Sequence, residues 1–112
     1  VQSPAGHTEG WNFGPRDEDA IPALALAEKL VHTLGRGVLD VVPPEKRQGP
    51  HEARLLRLDT SKARALLGWA PRLDIDRALT MTAEWYRVWI EDPSSCRAAL
   101  DRQIRAYEQL LA

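Results

Sequence analysis

His51 and Glu52 stand side by side in a proline-rich, charged stretch, and they carry the groups in this chain best suited to chemistry. An imidazole beside a carboxylate in a loop can move protons or hold a ligand. Consecutive residues rarely aim at one atom, however, and a His-Glu pair with no second histidine at helical spacing is not a zinc motif. A solvated loop is the simpler reading. The acidic run Asp17, Glu18, Asp19 could bind a cation, but negative charge also suits the positive end of a helix dipole, which explains the run with fewer assumptions. The four tryptophans offer faces for stacking on bases or sugars. Trp85 and Trp89 fall on the apolar face of a predicted helix, where core packing accounts for them. Cys96 has no second cysteine to pair with, so it reads as a small helix residue in a reducing, cytoplasmic setting.

Several motifs that would identify an enzyme outright do not occur. The sequence holds no G-x-G-x-x-G turn, no P-loop, no G-x-S-x-G elbow and no H-E-x-x-H helix. Neither tyrosine has a lysine four residues on, since Tyr86 is followed at that step by Ile90 and Tyr107 by Leu111. The expectation is a chain that binds no dinucleotide and no metal by itself.

Fifteen Lys and Arg against sixteen Asp and Glu leave a net charge of −1, so no bulk field draws the chain to nucleic acid or an anionic membrane. No apolar run is long enough to cross a bilayer. With 112 residues, 44% of them hydrophobic, one modest core is possible, which means one domain or part of one. Val1 in the place of an initiating methionine adds the expectation of a piece of something longer.

The elements around these residues predict an α/β architecture. Residues 1–9 are small and polar, a linker or loop, and 10–112 form the folded region. Trp11 and Phe13 alternate about Asn12 before Gly14-Pro15, which reads as a short strand ending in a turn. A helix starting near Asp19 or Ala20 carries Leu24, Ala27, Leu30, Val31 and Leu34 on one face and ends at Gly35. "VLDVV" at 38–42 is a β-branched strand bounded by glycine and two prolines. Strand, helix and strand make a partial βαβ unit. The loop 43–54 leads to "LLRL", a brief strand or a direct run into the next helix. That helix is capped by Asp59 or Thr60, buries Ala63, Leu66 and Leu67, and stops at Gly68 with Pro71 beyond. Trp69 folds back over its end, while Lys62 and Arg64 read as surface charges and Ser61 as an aid to the cap. A longer helix follows Asp74, with Ile75, Ala78, Leu79, Thr82, Trp85, Tyr86 and Trp89 on one face. A last helix, capped by Ser94 or Ser95, repeats Leu100, Ile104, Tyr107 and Leu111. The second half is thus a helical layer.

The wording of the sequence resembles a known family. "WNFGPRDEDA" at 11–20, the stretch from His51 to Tyr86 and "QIRAYE" at 103–108 are similar to the C-terminal part of the extended short-chain dehydrogenase/reductases, NAD-dependent epimerases and dehydratases of nucleotide-sugars. The pattern D-x-S-K-A-R-x-x-L-G-W-x-P, Asp59 to Pro71, with "EWY" behind it, is shared across that family. "NFGPxDEDA" and "HEAxLLxLD" are narrower and resemble the dehydratases that take CDP-glucose. The likeness covers residues 10–110, although "VVPPEKRQGP" at 41–50 departs from the family wording.

Such a resemblance implies a division of labour. Family members bind NAD in an N-terminal Rossmann domain, oxidise the sugar there through a Tyr-x-x-x-Lys pair, hold the nucleotide in the smaller C-terminal region and assemble as homo-oligomers. This chain matches the later region, so it is expected to supply substrate contacts, with the Rossmann domain as its missing partner and NAD as the cofactor of the whole. The segment before the D-x-S-K helix lies beside the nucleotide in the family, and His51, Glu52 and Arg54 stand at the matching positions. Arg54 is the best phosphate ligand of the three, because a guanidinium clamps a pyrophosphate with paired hydrogen bonds. A dTDP-, UDP- or GDP-sugar is the alternative substrate, and a free-standing small α/β binding module is the alternative to a dehydratase part.

Overall fold

The structure, a computed structural model, describes residues 4–49 and 57–112. Four helices carry it: α1 (Ala23–Leu34), α2 (Ser61–Leu67), α3 (Ile75–Glu91) and α4 (Cys96–Leu111). Short 3-10 turns at Asp17–Asp19 and Pro93–Ser95 precede α1 and α4. No helix among the described residues is long and apolar enough to cross a membrane.

Local chemistry sets each boundary. Helix α1 begins at Ala23, later than Asp19 or Ala20, because Pro22 disfavours the helical conformation at Ile21 before it. Gly35 closes α1, its N–H donating to the Val31 carbonyl at 3.0 Å. At the start of α2 only one of the two expected side chains caps, for Thr60 makes no side-chain bond to the helix backbone. Thr60 occupies the cap position, while Asp59 Oδ1 accepts from the Ser61 N–H at 2.9 Å and from the Ser61 hydroxyl. Gly68 ends the helix at φ 62°, a left-handed conformation that glycine adopts without a Cβ penalty. Asp74 caps α3, its Oδ1 accepting from the Arg77 N–H at 2.8 Å. Before α4 the roles invert relative to expectation, since Ser94 and Ser95 donate their hydroxyls to Asp92 and neither accepts from the helix.

Helix α3 is the spine. On one side it holds α1: Lys29 Nζ meets Asp76 Oδ1 at 2.9 Å, and Arg87 Nη2 donates to the Thr33 carbonyl at 2.8 Å. The Arg87 guanidinium thus sits at the negative end of the α1 dipole. On the other side Gln103 Nε2 of α4 donates to the Met81 carbonyl at 2.6 Å. Buried Leu79, Ala83 and Ala99 lie in this helical layer.

Asp19 ties the first half to the second. Its side chain is buried, and Oδ1 accepts from the Ile75 N–H at 3.1 Å, a first-turn donor of α3 that has no partner within its own helix. Oδ2 faces Arg16 Nε at 3.4 Å. That approach is an ion pair without hydrogen-bond geometry, as both atoms are buried without a hydrogen-bond partner among the described residues. Of the acidic run, Asp19 therefore serves the start of α3, 56 residues away.

Two expectations differ from the structure. No strand is present among the described residues, so of the partial βαβ unit only the helix is formed. Residues 11–16 and 36–43 lack regular structure, and Val38, Val41 and Val42 are exposed. Strand propensity is expressed through packing on a neighbouring strand, and none of the described residues forms one beside either segment. The core is also smaller than the apolar pattern suggests. Leu66, Tyr86, Trp89, Leu100, Ile104 and Leu111 are exposed, and among the described residues no large side chain is fully buried. The radius of gyration is 17.3 Å, against about 13 Å for a compact domain of this length.

Asp19→Ala would strip the Ile75 N–H and Arg16 of their shared partner and lower unfolding stability by about 1–3 kcal/mol. Asp19→Asn, which keeps an acceptor for Ile75, would lose less, as urea denaturation of the two variants would show.

Candidate functional site

A cleft of about 430 Å³ opens between the 3-10 turn at 17–19 and the start of α2, lined by Arg16, Asp17, Glu18, Leu58 to Ser61, and Arg64. Two structural features bring its walls together. Gly14 allows the first wall to approach the second, for a Cβ there would stand 3.3 Å from the Leu58 Cβ and 3.5 Å from the Thr60 methyl. Phe13 meets Trp69 edge to face with ring centroids 5.1 Å apart, which fixes the end of α2 against the same segment.

Lys62 fastens the chain just before that segment. Its ammonium lies 2.7 Å from Glu9 Oε1, donates to the Gly10 carbonyl at 2.9 Å and stands 4.5 Å above the Trp11 ring. Trp11 Nε1 in turn donates to the His7 carbonyl at 2.9 Å. Lys62 is thus a cross-link between segments more than fifty residues apart, not an idle surface charge. Arg64 has a partner too, its Nε donating to Thr60 Oγ1 at 2.9 Å.

The cleft's charged side chains differ in how far the protein engages them. Arg16 is engaged by Glu18 at 3.6 Å and by Asp19, whereas Arg64 commits only Nε to the protein among the described residues, leaving its two Nη groups for an anion. The Ser61 hydroxyl donates to Asp59, and that bond, with the Ser61 N–H second, holds the Asp59 carboxyl below its ordinary value of 3.8. So weak a base does not activate the hydroxyl at neutral pH. Among the described residues no three His, Cys, Asp or Glu side chains converge as a metal site requires.

His51, Glu52 and Arg54 lie outside the described residues, and the cleft's Leu58 and Asp59 follow them closely in sequence. Arg16 and Arg64 escaped sequence reasoning because they are 48 positions apart and meet only through the docking of 11–16 on 58–60. The one local signal was D-x-S at 59–61, the spacing of a carboxylate that caps the backbone two residues on.

Comparison with known proteins shows the chain to be similar to one part of a sugar-nucleotide dehydratase. The relative is the CDP-glucose 4,6-dehydratase of Salmonella typhimurium strain LT2, 42% identical over 94 residues. The match takes in 82% of this chain and 26% of the relative, so the chain spans about a quarter of the length of the curated protein it matches. No protein-family model matches the chain, and no solved structure does.

Because its lowered carboxyl lies in the folded state, Asp59 adds stability above the ordinary carboxylate value, and that share is lost as pH falls through the lowered one. Between about pH 5 and about pH 2 the wild type should therefore lose more thermal stability than Asp59→Asn, a difference that scanning calorimetry would resolve.

Proposed function

We propose that this chain is the C-terminal nucleotide-sugar-binding part of an NAD-dependent, cytoplasmic CDP-glucose 4,6-dehydratase. The carrying observation is 42% identity over 82% of the chain to an enzyme of that name. The whole enzyme would eliminate water from CDP-glucose to give the 4-keto-6-deoxy sugar, and NAD, when bound, supplies the acceptor and donor of the hydride.

The residues present do not fit a dinucleotide site. There is no glycine turn and no Tyr-x-x-x-Lys pair. NAD is assigned to the Rossmann portion outside this chain, and the steps assigned to this chain are binding and orientation. In this reading Arg54 clamps the pyrophosphate, His51 and Glu52 contact the nucleotide, and the free Nη groups of Arg64 face the same anion. The exposed valines of 38–42 and the unpaired segment 11–16 take up their strands against the partner domain, which restores the α/β architecture.

The test uses the intact protein that contains this chain. Given CDP-, UDP-, dTDP- and GDP-glucose in turn, it should release a 4-keto-6-deoxy product from CDP-glucose alone; turnover of a different sugar nucleotide, or of none, overturns the reading. Arg54→Ala should raise KM about tenfold or more through loss of a charged hydrogen bond, with kcat less affected. Unchanged KM and kcat would remove Arg54 from the site.

A further inference from the structure

Thr60 stands at the cap position of α2, where a threonine hydroxyl ordinarily accepts from a first-turn N–H, yet it makes no such bond. Asp59 takes the Ser61 N–H instead. The Thr60 hydroxyl oxygen accepts at 2.9 Å from Arg64 Nε, one helical turn further on. Thr60 is buried, with 7% of its surface exposed, whereas Arg64 faces solvent.

Two constraints fix that hydroxyl. Threonine branches at Cβ, so its methyl and its oxygen turn together about χ1. The methyl lies against Gly14, where a Cβ would stand 3.5 Å from it. The docking of 11–16 on α2 therefore sets the direction of the Thr60 oxygen, and through it that of the guanidinium. An exposed arginine otherwise samples many rotamers, and a ligand that captures it must first order it. A guanidinium offers an anion two edges, either Nε with one Nη or both Nη groups together. With Nε taken, and no other partner for the side chain among the described residues, the terminal edge is left and already aligned.

We propose that Thr60 is a positioning residue, which holds Arg64 so that its two Nη groups meet the pyrophosphate of a nucleotide-sugar end-on. The role rests on the nucleotide-sugar reading above and adds to it the residue that orients one of its ligands. Arg16 on the facing wall differs, since Glu18 at 3.6 Å and Asp19 at 3.4 Å already balance its charge. The Asp59 carboxylate is likewise committed to Ser61.

The test measures KM and kcat for CDP-glucose with the intact protein that contains this chain. Thr60→Val keeps the shape and the methyl but offers no acceptor, so KM should rise roughly threefold to tenfold, the cost of ordering a released side chain, with kcat unchanged. Arg64→Ala should raise KM about tenfold or more through loss of charged hydrogen bonds. In the double variant the rise should equal that of Arg64→Ala alone, because Thr60 acts only through the guanidinium. Thr60→Ser, which retains the oxygen, should restore most of the affinity. Thr60→Ala removes the acceptor in a second way and should match Thr60→Val, which keeps the test decisive where the valine variant does not fold. An unchanged KM on loss of the acceptor, a loss in kcat instead of KM, a serine variant as impaired as valine, or effects that multiply in the double variant overturns the positioning role and leaves the nucleotide-sugar reading standing. An intact protein that turns over no CDP-glucose overturns both.

Discussion

A single buried carboxylate governs how the two halves of this chain meet. Asp19 lies just before the first helix in sequence, yet its acceptor serves the first turn of the third. Helix starts leave N–H groups that must find partners, and a buried start without them is costly. Two carboxylates meet that demand at α3: Asp74 from within, on Arg77, and Asp19 from the far side of the chain, on Ile75. The second of these also aims Arg16, so one residue sets both the seat of the spine helix and a wall of the cleft.

The division between what the sequence revealed and what it hid follows the range of the interactions. Asp74 as a cap and Gly35 and Gly68 as stops all act within a few residues, and all were legible. Asp19, Lys62 and Arg87 act across more than fifty positions, and no periodicity announces such partners. The apolar stripes were read correctly as stripes, but a stripe says only that a face is apolar. Trp89 and Ile104 obey the helical period and still face water, because burial depends on what stands opposite. The segments 11–16 and 38–42, which lack regular structure, illustrate the same dependence in another geometry. Of the site, His51, Glu52 and Arg54 came from family wording, whereas the Arg16–Arg64 cleft emerged only from the docking of 11–16 on α2.

That docking gives the short helix its role. Seven residues are too few to hold a helix alone in water. Here α2 is clamped at its start by Asp59, at its end by Trp69 against Phe13, and along its flank by Lys62 on Glu9, Gly10 and Trp11. The same clamps fix the cleft, so its walls are held by an element with almost no interior.

Small alanines, not large side chains, make up most of the buried apolar core. Heat capacity and the steepness of denaturant unfolding both scale with the apolar area exposed when a chain unfolds. A protein that buries this little has a shallow stability curve and a broad transition, and its helices open piecemeal from the ends. Whatever covers the exposed faces then enters its stability directly by mass action, making melting temperature a function of concentration.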